Sequence, residues 1–146
     1  MKSFHIKKEI IDNTLVGAPS AGKKLLEPLL SFAKENNLPI NILETVNTAA
    51  EAEIHKNDSD LFGCLEGEIK FICGGELVNQ WKKQNSDGSF DENELKAKEI
   101  KNGSEIILKS GDWLYIPAGE PHQHISQGVC RLFIIKIPKA EKNSNS

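Results

Sequence analysis

Gly111-Asp112-Trp113-Leu114-Tyr115-Ile116-Pro117-Ala118-Gly119-Glu120-Pro121-His122 decides the fold of this chain. Gly111-Asp112 supplies a turn, and Trp113 to Ile116 are four strong strand formers. Pro117-Ala118-Gly119 breaks that strand and reverses the chain, because proline fixes φ and glycine tolerates unusual φ. His122 then opens a second strand beside the end of the first. An imidazole held just inside such a β-corner is placed to face the interior of a small barrel.

Working outward from this stretch, the chain reads as many short strands with turn signals at close intervals. Strands are expected over residues 40–46, 50–55, 61–65, 68–73, 77–78, 95–101, 104–109, 113–116, 123–125 and 129–137. Gly74-Gly75, Asn102-Gly103 and Gln127-Gly128 read as hairpin turns between neighbouring strands. Ahead of the strands one helix is expected, capped by Ser20, with Leu25, Leu26, Leu29, Leu30, Phe32 and Ala33 at helical spacing. Pro28 predicts a kink or a two-part helix there. Phe4 to Val16 reads as an edge strand or a loose arm. The pattern argues for an antiparallel sandwich or barrel.

Upstream, Glu53-Ile54-His55-Lys56-Asn57-Asp58-Ser59-Asp60-Leu61-Phe62-Gly63-Cys64-Leu65-Glu66-Gly67 has the form ExH(x)4D(x)6G. Alternation puts residues 53 and 55 on one strand face. After a turn at Lys56 to Ser59, Asp60, Phe62 and Cys64 share a face of the next strand. The later stretch has the form G(x)5PxG(x)2H. Together the two resemble the paired motifs of the cupin family, with Glu53 in place of the first histidine and Asp60 in place of the glutamate. The resemblance covers roughly residues 40–137. It is to small single-domain cupins, and it implies an all-β double-stranded β-helix, a jelly-roll barrel, with an N-terminal α-helix packed outside. Residues 1–39 are then arm and helix, 40–137 the barrel, and 138–146 a polar, disordered tail.

The resemblance implies a divalent metal (Fe, Mn, Ni or Zn) on His55, Asp60 and His122, with Glu53 as a fourth ligand. Two imidazoles and a carboxylate on a rigid wall suit such an ion and leave positions open for substrate. Plainer roles stand beside these: His55 as a strand-end histidine, and Asp60 as a cap for the Asn57 to Ser59 turn. His124 shares a face with His122 and is a candidate general acid or base, or else a pocket-lining or surface imidazole. Trp113, Tyr115 and Phe62 are expected in the core, or in a pocket wall. The functions implied are a metal-dependent dioxygenase, isomerase or lyase acting on a small oxygen-rich metabolite, or a non-catalytic binder of a sugar or organic acid without metal. A barrel packed shut, with a purely structural role, is the third reading.

At 146 residues one domain is expected. Net charge of −3 and a pI near 5.8 leave no basic footprint for nucleic acid. No apolar run approaches the roughly 20 residues of a membrane helix. No secretory leader is read in the first residues. Three cysteines, Cys64, Cys73 and Cys130, sit in apolar runs and read as buried thiols in a reducing compartment, with zinc thiolate as the weaker reading. These features point to a cytoplasmic protein, and exposed barrel edges to a homodimer. Two motif-like stretches are set aside. Gly17 to Lys24 has phosphate-loop spacing but lacks the Ser or Thr that would hold magnesium. Asn85 to Glu94 partly matches a calcium loop, but Lys83 occupies its first ligand position.

Overall fold

The computed structural model describes residues 2–140. Among these residues thirteen strands form three antiparallel sheets. The first is built from β1 (Gly22–Leu25), β2 (Ile40–Val46), β13 (Val129–Pro138), β4 (Asp58–Glu66) and β11 (Trp113–Ile116), in that order. The second runs β10 (Ser104–Lys109), β5 (Glu68–Cys73), β12 (His122–Ile125), β3 (Ala52–His55), β8 (Phe90–Ala97) and β7 (Trp81–Gln84). A small ribbon pairs β6 (Glu76–Leu77) with β9 (Ile100–Lys101). The two large sheets face each other across Leu43, Phe62, Cys64, Ile69, Phe71, Leu108, Ile116, Cys130 and Leu132. This is the all-β cupin jelly roll expected from the motifs.

The middles of β2 and β13 are covered on both faces, which accounts for the adjacent apolar residues Ile42-Leu43 and Leu132-Phe133. Leu43 and Leu132 point into the sandwich. Ile42 and Phe133 point outward, against Leu26 and Leu29 and against Ile10, Ile11, Leu15 and Phe32 of two short helices. These are α1 (Lys8–Leu15) and α2 (Leu29–Glu35). Thr14 joins them: its hydroxyl donates to the Ile10 carbonyl at 2.7 Å and accepts the Leu29 amide at 3.1 Å. That amide is one of the first-turn donors a helix leaves unpaired.

Several local expectations are corrected. Residues 8–15, read as strand or arm, are helix. The single helix from Ser20 is not formed. Gly22–Leu25 is a strand on the edge of β2, and the helix begins only after Pro28. Gly22 sits at φ +102, outside helical geometry, and the Ser20 amide goes to Glu44 rather than into a helix cap. The three expected hairpins are also absent. β5 and β6 do not pair, nor do β9 and β10, nor β12 and β13. β12 and β13 lie in different large sheets, and β9 leaves the ribbon for β10 in the second sheet. A turn signal marks where the chain bends, and here those bends carry it between sheets.

Trp113 and Tyr115 are not core residues; they are 56% and 55% exposed. Leu114 and Ile116 take the inward positions of β11, so alternation turns the two aromatics out. Trp113 lies over Gly63 and stacks on Phe133 at 6.2 Å. Phe62 is buried in the core, as expected. The cysteines are free: Cys64 and Cys130 are buried, Cys73 is half-buried. The calcium-like loop is the turn between β7 and β8, and Lys23 and Lys24 of the phosphate-loop-like stretch lie on β1. The segment 141–146 of the expected tail lies outside the described residues.

Candidate metal centre

β3 and β12 are neighbours in the second sheet, and Glu53 pairs directly with His122. Alternation along β3 places Glu53 and His55 on one face, and along β12 it places His122 and His124 on one face. Asp60 arrives from the opposite wall, on β4 of the first sheet. It is not a turn cap: it lies within the strand and is 2% exposed. The Pro117-Ala118-Gly119 turn holds the corner in place. The Gly119 amide donates to the His55 carbonyl at 2.8 Å, and the Ala118 amide donates to Ser59 Oγ at 3.0 Å. Gly119 sits at φ +87, a conformation that favours glycine.

The four residues singled out from the two motifs converge. Glu53, His55 and His122 present ligand atoms that all lie within 4.8 Å of one another. Glu53 Oε2 is 3.0 Å from His55 Nε2. Asp60 Oδ2 is 3.6 Å from both His55 Nε2 and His122 Nε2. Glu53, expected only as a fourth ligand, belongs to the tight triple, while Asp60 adjoins both rings. Lys136 Nζ sits 2.5 Å from Asp60 Oδ1 but off the line of a hydrogen bond, and so acts as a charge partner.

The electrostatics favour the neutral form of His122 and His124 and the ionised form of Glu53. Burial pushes His122 below the ordinary histidine value, and the nearby His55 adds to this against the opposing pull of Asp60 and Glu53. Burial, together with the charge of Lys23, pushes His124 down to about 4. Burial alone would raise the Glu53 acid, but the His55 contact and the charges of Lys23, His55 and Lys96 hold it well below the usual carboxylate range. His122 Nδ1 lies 3.1 Å from the Glu120 carbonyl. A carbonyl only accepts, so Nδ1 carries the proton and Nε2 turns its lone pair toward the centre. That is the arrangement of metal-ligating histidines. Two imidazoles with carboxylates are a donor set that fits a divalent transition metal.

The site opens into a cavity of about 530 Å³. This removes the reading of a barrel packed shut. His124 lines the cavity, is 5% exposed, and has no hydrogen-bond partner for Nδ1 among the described residues. The sequence reading missed the lysines of the wall and Glu94. Their only signal is pairing: Lys96 stands across from Glu53, Glu94 across from His55, and Lys136 across from Asp60.

A family model described as JmjC domain matches residues 64–143, more than half of the chain. His122, His124 and Lys136 fall inside that match; Glu53, His55 and Asp60 precede it. Several solved structures are similar in fold. Iron(II) HppE is 15% identical at a TM-score of 0.45, covering 67% of this chain and 42% of its own. The Drosophila melanogaster CENP-C cupin domain is 11% identical at 0.48, covering 70% and 59%. A putative ethanolamine utilization protein Q from Salmonella typhimurium is 15% identical at 0.44, covering 73% and 64%. The chain therefore spans less than two thirds of each of these proteins. No curated protein sequence matches it. No helix among the described residues is long and apolar enough to cross a membrane. With its jelly-roll sheets and the match over residues 64–143, the chain is a small cupin domain and belongs to the JmjC domain family.

Proposed function

We propose that this domain binds one divalent transition metal through Glu53, His55, His122 and Asp60, and uses it on a small oxygen-rich metabolite in the cavity. The observation that carries the reading is the convergence of two imidazole Nε2 atoms and two carboxylates from both sheets onto one centre. A bound divalent ion would supply Lewis acidity to an oxygen of the substrate. The chain's own groups do the rest. The Glu120 carbonyl fixes the His122 ring, and the Pro117 to Gly119 turn fixes the end of β3. His124, neutral and buried, offers a ring nitrogen to the bound molecule and is the residue we assign to proton transfer. The reaction class is dioxygenase, isomerase or lyase. Residues 40–137 are assigned as the barrel, with β1 added to the edge of its first sheet and the two preceding helices covering the outside of that sheet. We further assign a homodimer, supported by the exposed Trp113 and Tyr115 on edge strand β11.

The experiment is elemental analysis of tag-free protein, followed by calorimetric titration with Mn(II), Fe(II), Ni(II) and Zn(II). The expected result is about one metal per chain, abolished separately by His55→Ala and His122→Ala. Protein that binds none of the four ions with unchanged stability sinks the proposal. A second reading, a metal-free binder of a sugar or organic acid, is favoured by one observation. Lys136 beside Asp60, and Lys23 and Lys96 each 3.9 Å from Glu53, already balance both carboxylates without an ion.

A further inference from the structure

The converging residues stand on two walls. Asp60 belongs to the first sheet, and Glu53, His55 and His122 belong to the second. Ladder hydrogen bonds hold each sheet together but do not set the distance between the two. The 3.6 Å from Asp60 Oδ2 to each imidazole therefore depends on packing and on the segments that cross between the sheets. One such segment passes beside the centre. Residues 117–121 lead from β11 in the first sheet to β12 in the second. The last residue of β11, Ile116, is paired with Asp60. Two adjacent amides of this crossing then bind opposite walls. Ala118 donates to Oγ of Ser59, the residue before Asp60, at 3.0 Å. Gly119 donates to the carbonyl of His55 itself at 2.8 Å. One residue further on, the Glu120 carbonyl meets His122 Nδ1 at 3.1 Å.

We propose that Ser59, held by Tyr115, is a positioning residue of the metal centre: its hydroxyl pins the crossing to the first wall and so sets where His55 and His122 stand relative to Asp60. The inference rests on the metal reading above. The bond from Gly119 to the second wall is backbone to backbone and depends on no particular side chain. The bond to the first wall needs a hydroxyl at position 59. Alternation turns Asp60 into the cavity and Ser59 to the outer face of β4, so Ser59 acts on the centre only through the crossing. The side chain is buried, at 6% exposed. Its Oγ also accepts the Tyr115 hydroxyl at 3.1 Å, which occupies the second lone pair and fixes the rotamer. The Tyr115 ring lies on the outside of the barrel, half-exposed and remote from the cavity. A metal centre works only if its ligands are held to within about 0.5 Å. Without Ser59 Oγ the crossing keeps its hold on β3 and loses its hold on β4, and the two imidazoles are free to drift from Asp60.

The test uses the full chain and three readings: Mn(II) affinity by calorimetry, the visible absorption bands of bound Co(II), and amide hydrogen exchange in the metal-free protein. Ser59→Ala weakens Mn(II) by about tenfold or more, as loss of a group that orients metal ligands does. It also shifts the Co(II) bands, which report ligand geometry, and speeds exchange at Ala118 and Gly119. Tyr115→Phe does the same to a smaller degree, weakening Mn(II) by about threefold. Because Tyr115 acts through Ser59, the double variant is no weaker than Ser59→Ala alone. Ser110→Ala is the control for a merely structural role. It removes a hydroxyl bond of 2.9 Å to the Leu65 carbonyl at the far end of β4, and leaves Mn(II) affinity and the Co(II) bands unchanged. Wild-type protein that binds neither ion removes the metal reading and this inference with it. Wild-type protein that binds both, with Ser59→Ala equally tight and its Co(II) bands unmoved, overturns this inference alone. Should Ser59→Ala fail to fold, Tyr115→Phe decides: wild-type Mn(II) affinity in that variant overturns the inference, and a loss with shifted Co(II) bands upholds it.

Discussion

Glu44→Ala removes one half of a buried ion pair on the outer face of the first sheet. Glu44 is 0% exposed, and its Oε2 lies 2.9 Å from both Nε and Nη2 of Arg131. Its Oε1 accepts the Ser20 amide at 3.1 Å. Arg131 in turn donates to the carbonyls of Leu15 at 2.6 Å and Gly17 at 2.5 Å. The pair thus clamps the connection between α1 and β1 onto the barrel. Deleting one partner of a buried pair leaves the other charge uncompensated, which costs about 3–5 kcal/mol. Glu66 lies 3.6 Å from Arg131 and is partly exposed, so it recovers some of this and sets the expectation near the lower figure, about 3 kcal/mol. That is a large part of the roughly 5–15 kcal/mol that holds a domain folded. Replacing both partners, as Glu44→Leu with Arg131→Met, removes the stranded charge and should cost less than Glu44→Ala alone. Urea unfolding at constant m reads the stability. Limited proteolysis reads release of the segment between residues 15 and 21. A loss below about 1 kcal/mol for Glu44→Ala, or a double variant no more stable than the single one, refutes the argument.

Three further outcomes follow from the geometry. His124 has its folded value pushed to about 4, below the roughly 6.5 of an unfolded histidine, so the unfolded chain binds the extra proton first. Stability of the metal-free protein should be level above pH 6.5 and fall by up to about 3 kcal/mol as pH drops to 4, a slope that His124→Gln should reduce; an unchanged slope in that variant contradicts the assignment. Phe71→Ala should cost about 3–5 kcal/mol by urea titration, because its ring is fully buried and packs on Phe62 at 5.0 Å and His124 at 5.8 Å. Gly67→Ala should cost well over about 1 kcal/mol, since a Cβ at φ +76 would stand 2.1 Å from the Val129 carbonyl oxygen. Gly88→Ala, at φ +88 but in open space, isolates the backbone strain alone; equal losses at the two positions would dismiss the clash.

What the sequence determined by itself was local and alternating. Strand formers bounded by Gly and Pro located most of β2 to β5 and β10 to β13. Alternation put Asp60 with Phe62 and Cys64, and Glu53 with His55, on the faces they occupy. The two motif spacings were enough to name a jelly roll and to single out all four converging residues. Tertiary structure decided which strands became neighbours. Asn102-Gly103 and Gln127-Gly128 are true bends, yet the strands on either side of each find partners elsewhere. Long-range pairing, not turn chemistry, selects the sheet. The same cause turned Trp113 and Tyr115 outward, because alternation separates two faces without saying which is inner. It also hid the lysines. Lys96 and Lys136 look like solvent-facing residues until pairing sets them across from Glu53 and Asp60, and only then do they become the wall of a cavity.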